Sequence, residues 1–469
     1  MAATTKRYCR PLRQAIITVR QRVILSIFVC IAALAATIWV LRRDRASLGL
    51  PVAYLVSLLL IHVPGAYAQV VSAGFLADTG VTTAGFFFAT IGAVCFSGGV
   101  ILASLSTPIS TIQFATSGST AVTPNRKSFA LFCLLGGWVF VYGLSPLHNI
   151  PSLGAAVDEG GAVWILGVIL GLREALRQRS LLSVGIWLGA LLVYPVGMLL
   201  LGGFLSYGSA AMIVAGSALT ISTRSYWRVA AGLAVATYLG LTIFVNYFEN
   251  RDDIRGEVWG GAPLEERMDT VLGVASNFHW FDSTDPLDLL ALDERLNQNL
   301  FVGLAAERIE AGQVDYLYGR SIWEALRALV PRLIWPDKPV LAGSPEIVSE
   351  MTGLELSPTT SFGVGNVMEF QINFGLEGVV GGFLLLGWLI GTLDRKAAAA
   401  ERRGELGKVL LFFLPAVALI QPNGSMIEMA SAAAAATVAA YGWKWAWTHW
   451  AKQTGLSANV RGGALRRPL

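Results

Sequence analysis

Long apolar runs alternate with short basic turns through the first 248 residues of the chain, and the same rhythm resumes after residue 373. A helix crosses the hydrocarbon core of a bilayer with about 20 apolar residues, in a range of about 17–25. By that measure residues 23–41, 48–64, 84–107, 128–147, 155–172, 181–202, 206–222, 229–247, 374–393, 408–421 and 428–448 are candidate spans. The 48–64 run ends at Pro64-Gly65 and is expected to continue through Tyr67 to Leu76 as a broken or re-entrant piece. The 408–421 run is short and closes on the turn sequence Gln421-Pro422-Asn423-Gly424. The pattern predicts an all-α polytopic membrane helical bundle of about 10–12 spans. It divides into an N-terminal bundle (1–248), a large external loop (249–373), C-terminal membrane helices (374–450) and a cytoplasmic tail (451–469).

Within the loop the period changes but does not vanish. Leu289, Leu292, Leu296, Leu300 and Leu304 recur at helical spacing within 286–311, and Asp285-Pro286 is a helix start. A second helix is predicted over 320–330, stopped by Pro331. Apolar stripes of this kind pack on something, so the loop is expected to lie over the bundle as a partly helical lid. Gly363-Val364-Gly365-Asn366 lacks the full dinucleotide-binding pattern and reads as a flexible lead-in to the next span.

Charge gives this arrangement a direction. Apolar residues make up 54% of the chain and charged ones 14%, against about 25% charged in an average soluble domain. Residues 249–369 hold 21 of the 31 acids but 9 of the 35 bases, leaving 26 bases against 10 acids elsewhere. The basic loops Arg42–Arg45, Arg126-Lys127, Arg173–Arg179, Arg224–Arg228 and Arg395–Lys408 fall on one side if the spans from 48 onward alternate. Basic short loops face the cytoplasm, so the acidic loop faces outward. The N-terminal bases Lys6, Arg7, Arg10, Arg13, Arg20 and Arg22 disagree, because the same alternation puts them outside. Either the 23–41 segment does not cross simply, or a twelfth crossing is hidden, with 65–80 its first candidate. The first apolar run ends in Leu41-Arg42-Arg43-Asp44-Arg45, not in a small-residue cleavage site, and is expected to remain as an anchor. The net charge of +4 sums two surfaces of opposite balance and is no sign of nucleic-acid binding. None of the four cysteines lies in the loop, so no disulfide is expected there.

Several chemistries lack their motifs. There is no Walker sequence, no HExxH and no GxSxG. ATP is therefore not the expected energy source, and neither a cofactor nor a metal is expected. The runs 84–107, 128–147, 181–202 and 229–247 contain no ionisable residue, which counts against a transporter. The exceptional stretch is Tyr318 to Pro339, where Arg320, Arg327, Arg332 and Lys338 interrupt an acid-rich loop. Pro331, Pro336 and Pro339 restrict the backbone around Arg332 and Lys338, and Trp335 suits the headgroup level. Arginine grips phosphate oxygens through two parallel bonds and lysine supplies a point charge, so the stretch fits a diphosphate. A Pro-rich interfacial anchor is the competing role.

The segment Pro331-Arg332-Leu333-Ile334-Trp335-Pro336-Asp337-Lys338-Pro339 resembles one found in Wzy-type oligosaccharide repeat-unit polymerases and related exopolysaccharide polymerases. The resemblance extends to Gly363–Asn366, Glu369 and Asn373-Phe374-Gly375, and to the plan of many spans with one large late loop. It implies glycosyl transfer between polyprenyl-diphosphate-linked glycans at the periplasmic face of a bacterial inner membrane. Membrane lipids, a chain-length regulator and a flippase of the same pathway are the implied partners. Under that reading Arg332 and Arg320, supported by Lys338, stabilise charge on the departing diphosphate, and Arg327, Arg295 and Arg308 are further diphosphate-binding candidates. Glu369 is the leading candidate for the base and Glu324 the second. The alternative role of Glu369 is a helix N-terminal carboxylate held by the dipole. For Arg295 and Arg308 the alternative is surface pairing with Glu294 and Glu307. His279 and Trp280, in the cluster Phe278–Phe281, and Trp335 are candidates for stacking on a sugar ring. The chain has one large loop and no second Arg-rich loop motif, so a two-loop scheme does not transfer to it. An O-antigen ligase-like transferase and a flippase or transporter of lipid-linked sugar are the competing functions.

Overall fold

A computed structural model describes residues 5–44, 46–72, 76, 78–106, 123–144, 153–203, 205–223, 225–330, 335, 344–356 and 363–454, with backbone alone at 5–18, 123–125, 142, 153 and 206–207. The first half contains α1 (Thr5–Asp44), α2 (Leu50–Leu60), α3 (Val63–Val71), α4 (Thr79–Ser106) and α5 (Thr123–Trp138), which runs into a π-helical turn (Val139–Gly143). After it come α6 (Leu153–Gly161), α7 (Val163–Arg177), α8 (Leu181–Gly202), α9 (Ser206–Ser222) and α10 (Tyr226–Trp259). The loop region forms α11 (Leu264–Ser276), α12 (Pro286–Arg295), α13 (Asn299–Glu310), α14 (Arg320–Ala328) and α15 (Ser344–Thr352). The chain closes with α16 (Asn366–Arg402), α17 (Leu406–Ala418) and α18 (Met426–Gln453). No strand occurs among the described residues.

Seven helices of the described residues are long and apolar enough to cross a membrane: Val19–Asp44, Leu50–Val71, Thr79–Ser106, Gly154–Arg177, Leu181–Gly202, Tyr226–Trp259 and Asn366–Arg402. Gly208–Ser222 and Leu406–Ala418 are apolar but shorter. The sequence pattern had predicted more spans, because it accepts runs that are short or diluted by alanine and polar residues. Only 6% of the α8 apolar window is buried, against 72% of that in Gly154–Arg177. Leu182, Ile186, Leu192 and Val196 of α8 stand exposed, an arrangement that is costly in water and neutral in hydrocarbon.

At the centre α4 lies against α16, and glycines let the two backbones meet. A Cβ at Gly99 would stand 2.2 Å from the Leu384 carbonyl oxygen, and one at Gly387 would stand 2.1 Å from that of Phe96. Small residues at such a crossing are how membrane helices gain close packing without a hydrophobic drive between them.

The basic turns converge at one end. Arg42 and Arg43 near the end of α1, Arg173 and Arg177 of α7, Arg228 of α10 and Arg402 of α16 line one cavity, and Arg126 of α5 reaches Glu401 beside it. There Asp394 accepts from the backbone N–H groups of Leu48 (2.9 Å) and Leu50 (3.3 Å), and Arg395 pairs with Asp44. Since α10 begins and α16 ends at this cavity, the loop departs from the far end of α10, and the chain enters the long second half of α16 from its far end, at the Phe374-Gly375 kink. Helix α1 is continuous to Asp44 and also ends here, so its N-terminal turns point the other way. Helices α2 and α3 make one broken crossing, and α4 begins at Thr79, which leaves no room for an extra crossing within 65–80.

The loop is built into the bundle. The leucine stripe over 286–311 predicts one helix, yet the structure breaks it at Leu296–Gln298 into α12 and α13. The physical reason is the facing break at Ile61-His62 between α2 and α3. Gln298 N–H donates to the Ile61 carbonyl at 3.0 Å, Gly65 N–H donates to that of Leu296 at 3.0 Å, and Asn299 Nδ2 donates to that of His62 at 2.7 Å. Each break exposes backbone groups that hydrocarbon cannot solvate, and each supplies partners for the other. Gly65 permits the contact, since a Cβ there would fall 2.2 Å from that of Asn297.

Candidate active site

Asp285 caps α12 through its side chain, accepting from Leu287 N–H at 2.9 Å, as the Asp-Pro start implies. Helix α14 is seated by the kink of α16 at Phe374 and Gly375, whose φ/ψ are non-helical. That kink frees the Ile372 carbonyl, which accepts from Leu317 N–H at 2.8 Å. Asn373 Oδ1 accepts from Gly319 N–H at 2.9 Å, and its Nδ2 donates to Ser321 Oγ at 2.8 Å. Tyr318 and Gly319 both take positive φ, at 45° and 88°, which makes a tight two-residue corner before α14.

This corner brings α14 against α16 and α18. Glu369, in the first turn of α16, is fully buried. Its Oε2 accepts from Met426 N–H at 2.6 Å, capping the N-terminus of α18. The dipole role foreseen for Glu369 therefore includes a neighbouring helix. The Ser321 hydroxyl stands beside the carboxyl. Its second oxygen, Oε1, is buried with no hydrogen-bond partner among the described residues. Glu324 lies close enough to act on Glu369 electrostatically. Ser321, Glu350 and Met426 were missed by motif reasoning, since their importance comes from distant partners.

Arg320 is 47% exposed and paired with Glu350 of α15. That pair holds the Arg320 pKa above its ordinary value. Exposed ion pairs contribute about 0–1 kcal/mol, so Glu350 is a weak partner that another anion can displace at little cost. Arg327 lies over the Trp335 ring, 5.4 Å from its centroid. Trp323 and Leu326 of α14, with Leu329 just after it, point outward while Ser321 and Ala325 are buried, the face expected of a helix at an interface with lipid. Arg332 and Lys338, with Pro331, Pro336 and Pro339, lie outside the described residues.

The other candidates gather elsewhere. His279 and Trp280 pack on α10 and α12. Trp280 stacks on Tyr238 at 5.9 Å, stays 59% exposed and offers a flat apolar face. Arg295, at the end of α12, lies over the Phe248 ring at 5.8 Å. Burial and then the neighbouring Arg251 and Arg255 lower its pKa. Arg308 of α13 lies against Gly353, after α15. The lead-in at 363–366 is firmly held, contrary to the flexible segment expected. Asn366 accepts from Tyr54 Oη at 2.6 Å and donates through Nδ2 to the Gly424 carbonyl at 3.0 Å. A Cβ at Gly363 would meet the Asn423 carbonyl oxygen at 1.8 Å.

Glu249, His279 and Asp288 each bring a ligand atom within 4.8 Å of the others, a grouping that can hold a metal ion and that no sequence motif announced. Asp288 is otherwise occupied: Oδ1 faces His279 Nε2 at 3.2 Å and Oδ2 accepts from Asp282 N–H at 2.7 Å. The bond to Asp288 raises the His279 pKa, with burial opposing and Glu249 adding to the rise. A raised folded-state value means that this contact stabilises fully below the unfolded value of about 6.5 and fades as pH rises through the folded one. His279→Gln is therefore expected to destabilise at pH 6 and to have less effect at pH 8. Melting temperatures of both proteins at the two pH values check this, and an equal effect at both would count against it.

No family model matches the chain, and neither a curated protein nor a solved structure matches it.

Proposed function

We infer that this protein is a membrane glycosyltransferase that polymerises polyprenyl-diphosphate-linked oligosaccharide repeat units. The observation that carries this reading is the buried Glu369 carboxylate, one of whose oxygens has no hydrogen-bond partner among the described residues, beside the helix that bears Arg320, Glu324 and Arg327. In the proposed reaction an acceptor hydroxyl gives its proton to Glu369 and attacks C1 of the donor's reducing-end sugar. The C1–O bond to phosphate breaks, and polyprenyl diphosphate leaves with the electron pair. Arg320 and Arg327, followed in sequence by Arg332 and Lys338, stabilise the departing charge. The energy resides in the sugar–diphosphate bond, which agrees with the absence of an ATP motif. Glu369 is covered by α14, so the acceptor reaches it when α14 moves on the Tyr318-Gly319 corner. In this reading the chemistry takes place at the outer, periplasmic face of a bacterial inner membrane, and the basic short loops at the opposite end support that sidedness.

A flippase of lipid-linked sugar is the second reading, favoured by the breaks in α2–α3 and α16, since broken helices often line transport sites. Purified chain in liposomes, supplied with diphosphate-linked repeat units, separates these readings. Products longer than one unit are expected. Transfer across the bilayer without a new glycosidic bond would replace the polymerase by a flippase. A single transfer to a non-carrier acceptor would indicate a ligase.

A further inference from the structure

A cavity of about 1120 Å³ occupies the basic end of the bundle. Glu401 at its wall ends the long second half of α16, whereas Glu369 lies before the kink at Phe374 and Gly375, where Phe370 packs back against Gly378 and Gly382, roughly 30 Å along the helix from Glu401. The lining holds seven arginines and one carboxylate, an excess of six positive charges. The carboxylate is already shared: Arg173 Nη1 is 3.1 Å from Glu401, with Arg126 at 3.7 Å and Arg177 at 3.9 Å. Arg173 also donates to the Ser47 carbonyl (2.9 Å) and Ser222 Oγ (3.0 Å), so it serves as wall.

Two other arginines are placed at some cost. Arg42 donates to the Thr223 carbonyl and lies over the Tyr226 ring, 4.1 Å from its centroid. Its Nη1 is buried and has no partner among the described residues. A buried donor on a charged group left unpaired costs at least about 1–3 kcal/mol. Arg179 takes φ 53° just after α7, a left-handed conformation that costs a side-chain-bearing residue about 1–2 kcal/mol and glycine almost nothing. Guanidinium groups that repel one another, one of them fixed with a bare donor, favour an anion with many oxygens. The volume exceeds that of a single phosphate and is slightly above the usual range of ligand pockets, about 300–1,000 Å³.

We propose that this cavity is a binding site for a phosphate-bearing anion of the diphosphate or phosphodiester class, gripped by Arg42, Arg177, Arg179 and Arg228. The ligand is either the headgroup of an anionic phospholipid or a soluble diphosphate. This site is separate from the glycosyl-transfer chemistry and stands without it.

Two measurements on the full chain distinguish the sources. Inorganic pyrophosphate is titrated calorimetrically into detergent-purified protein. Native mass spectrometry counts phosphatidylglycerol kept after extraction from phosphatidylcholine–phosphatidylglycerol vesicles. Arg42→Gln removes the buried donor. Arg179→Gln/Arg228→Gln removes two exposed cavity charges without touching the core, in case the first variant fails to fold. Arg403→Gln/Lys408→Gln removes two charges at the same end outside the cavity lining. Binding of at least one ligand is expected, weakened about tenfold or more in the cavity pair and unchanged in the control pair. Pyrophosphate binding identifies a soluble ligand, whereas phosphatidylglycerol retention alone identifies a headgroup. The proposal is overturned if neither ligand binds the parent, or if the control pair weakens binding as much as the cavity pair.

Discussion

Glu369→Gln is expected to fold as the parent does and to lose elongation of diphosphate-linked repeat units by a factor of about 10²–10⁴, the usual contribution of a positioned general base. The variant separates the two roles the carboxyl group can play. Its Oε2 accepts from Met426 N–H and so caps α18, a task that the glutamine carbonyl oxygen performs equally well. Its Oε1 is the buried oxygen that has no partner among the described residues, and only there does the loss of basicity matter. Glu369→Ala removes both functions, leaving the Met426 N–H without its acceptor. It should therefore lose folded yield as well, by the roughly 0.5–2 kcal/mol that a lost helix cap costs. The readouts are product length on a gel for elongation and the melting temperature for folding. A Glu369→Gln protein that elongates at the parental rate would leave the carboxylate as a cap alone and remove it from the mechanism. The same assay with Arg332→Ala asks whether the basic Pro-rich stretch acts in the reaction, independently of Glu369.

Gly387→Ala should destabilise the chain by about 2–3 kcal/mol, the cost of forcing an extra carbon into a packed interior. The new Cβ would lie 2.1 Å from the Phe96 carbonyl oxygen and 2.9 Å from its carbon. Those are backbone atoms of α4, so relief requires the two central helices to separate. Gly381 supplies the opposite case on the same helix, because among the described residues nothing lies within 4 Å of a Cβ built there. Gly381→Ala should be neutral or stabilise by up to about 1 kcal/mol, through helix propensity alone. Equilibrium unfolding of both variants in graded denaturing detergent tests the pair. Equal behaviour would show that α4 and α16 do not approach as closely as described.

Much of this architecture can be read locally. Apolar runs of span length predict the all-helical character of the described residues, although the eleven runs give seven helices there that are long and apolar enough to cross a membrane. Asp285 caps α12 and Gln421–Gly424 forms a turn, with Gly424 N–H donating to the Gln421 carbonyl at 3.0 Å. Both follow from side-chain chemistry within a few residues. The basic turns are also visible one by one, since alternating spans of similar length must return them to the same end.

What only the tertiary structure decided are the places where a helix stops without a local signal. The leucines from 289 to 304 keep helical spacing through the break at Leu296–Gln298, because periodicity reports which face is apolar and says nothing about unpaired backbone. That break is stabilised by His62 and Gly65, more than 200 positions earlier. Glu369 likewise gains its buried environment from Ser321 and Met426, on two other helices, and its importance to the fold has no mark in its own neighbourhood. The cavity at the basic end draws its arginines from helices far apart in sequence. Sequence by itself determined which segments are helical and where charge collects. Three-dimensional packing decided which polar groups meet, because a buried donor or acceptor must find a partner wherever the chain brings one within about 3 Å.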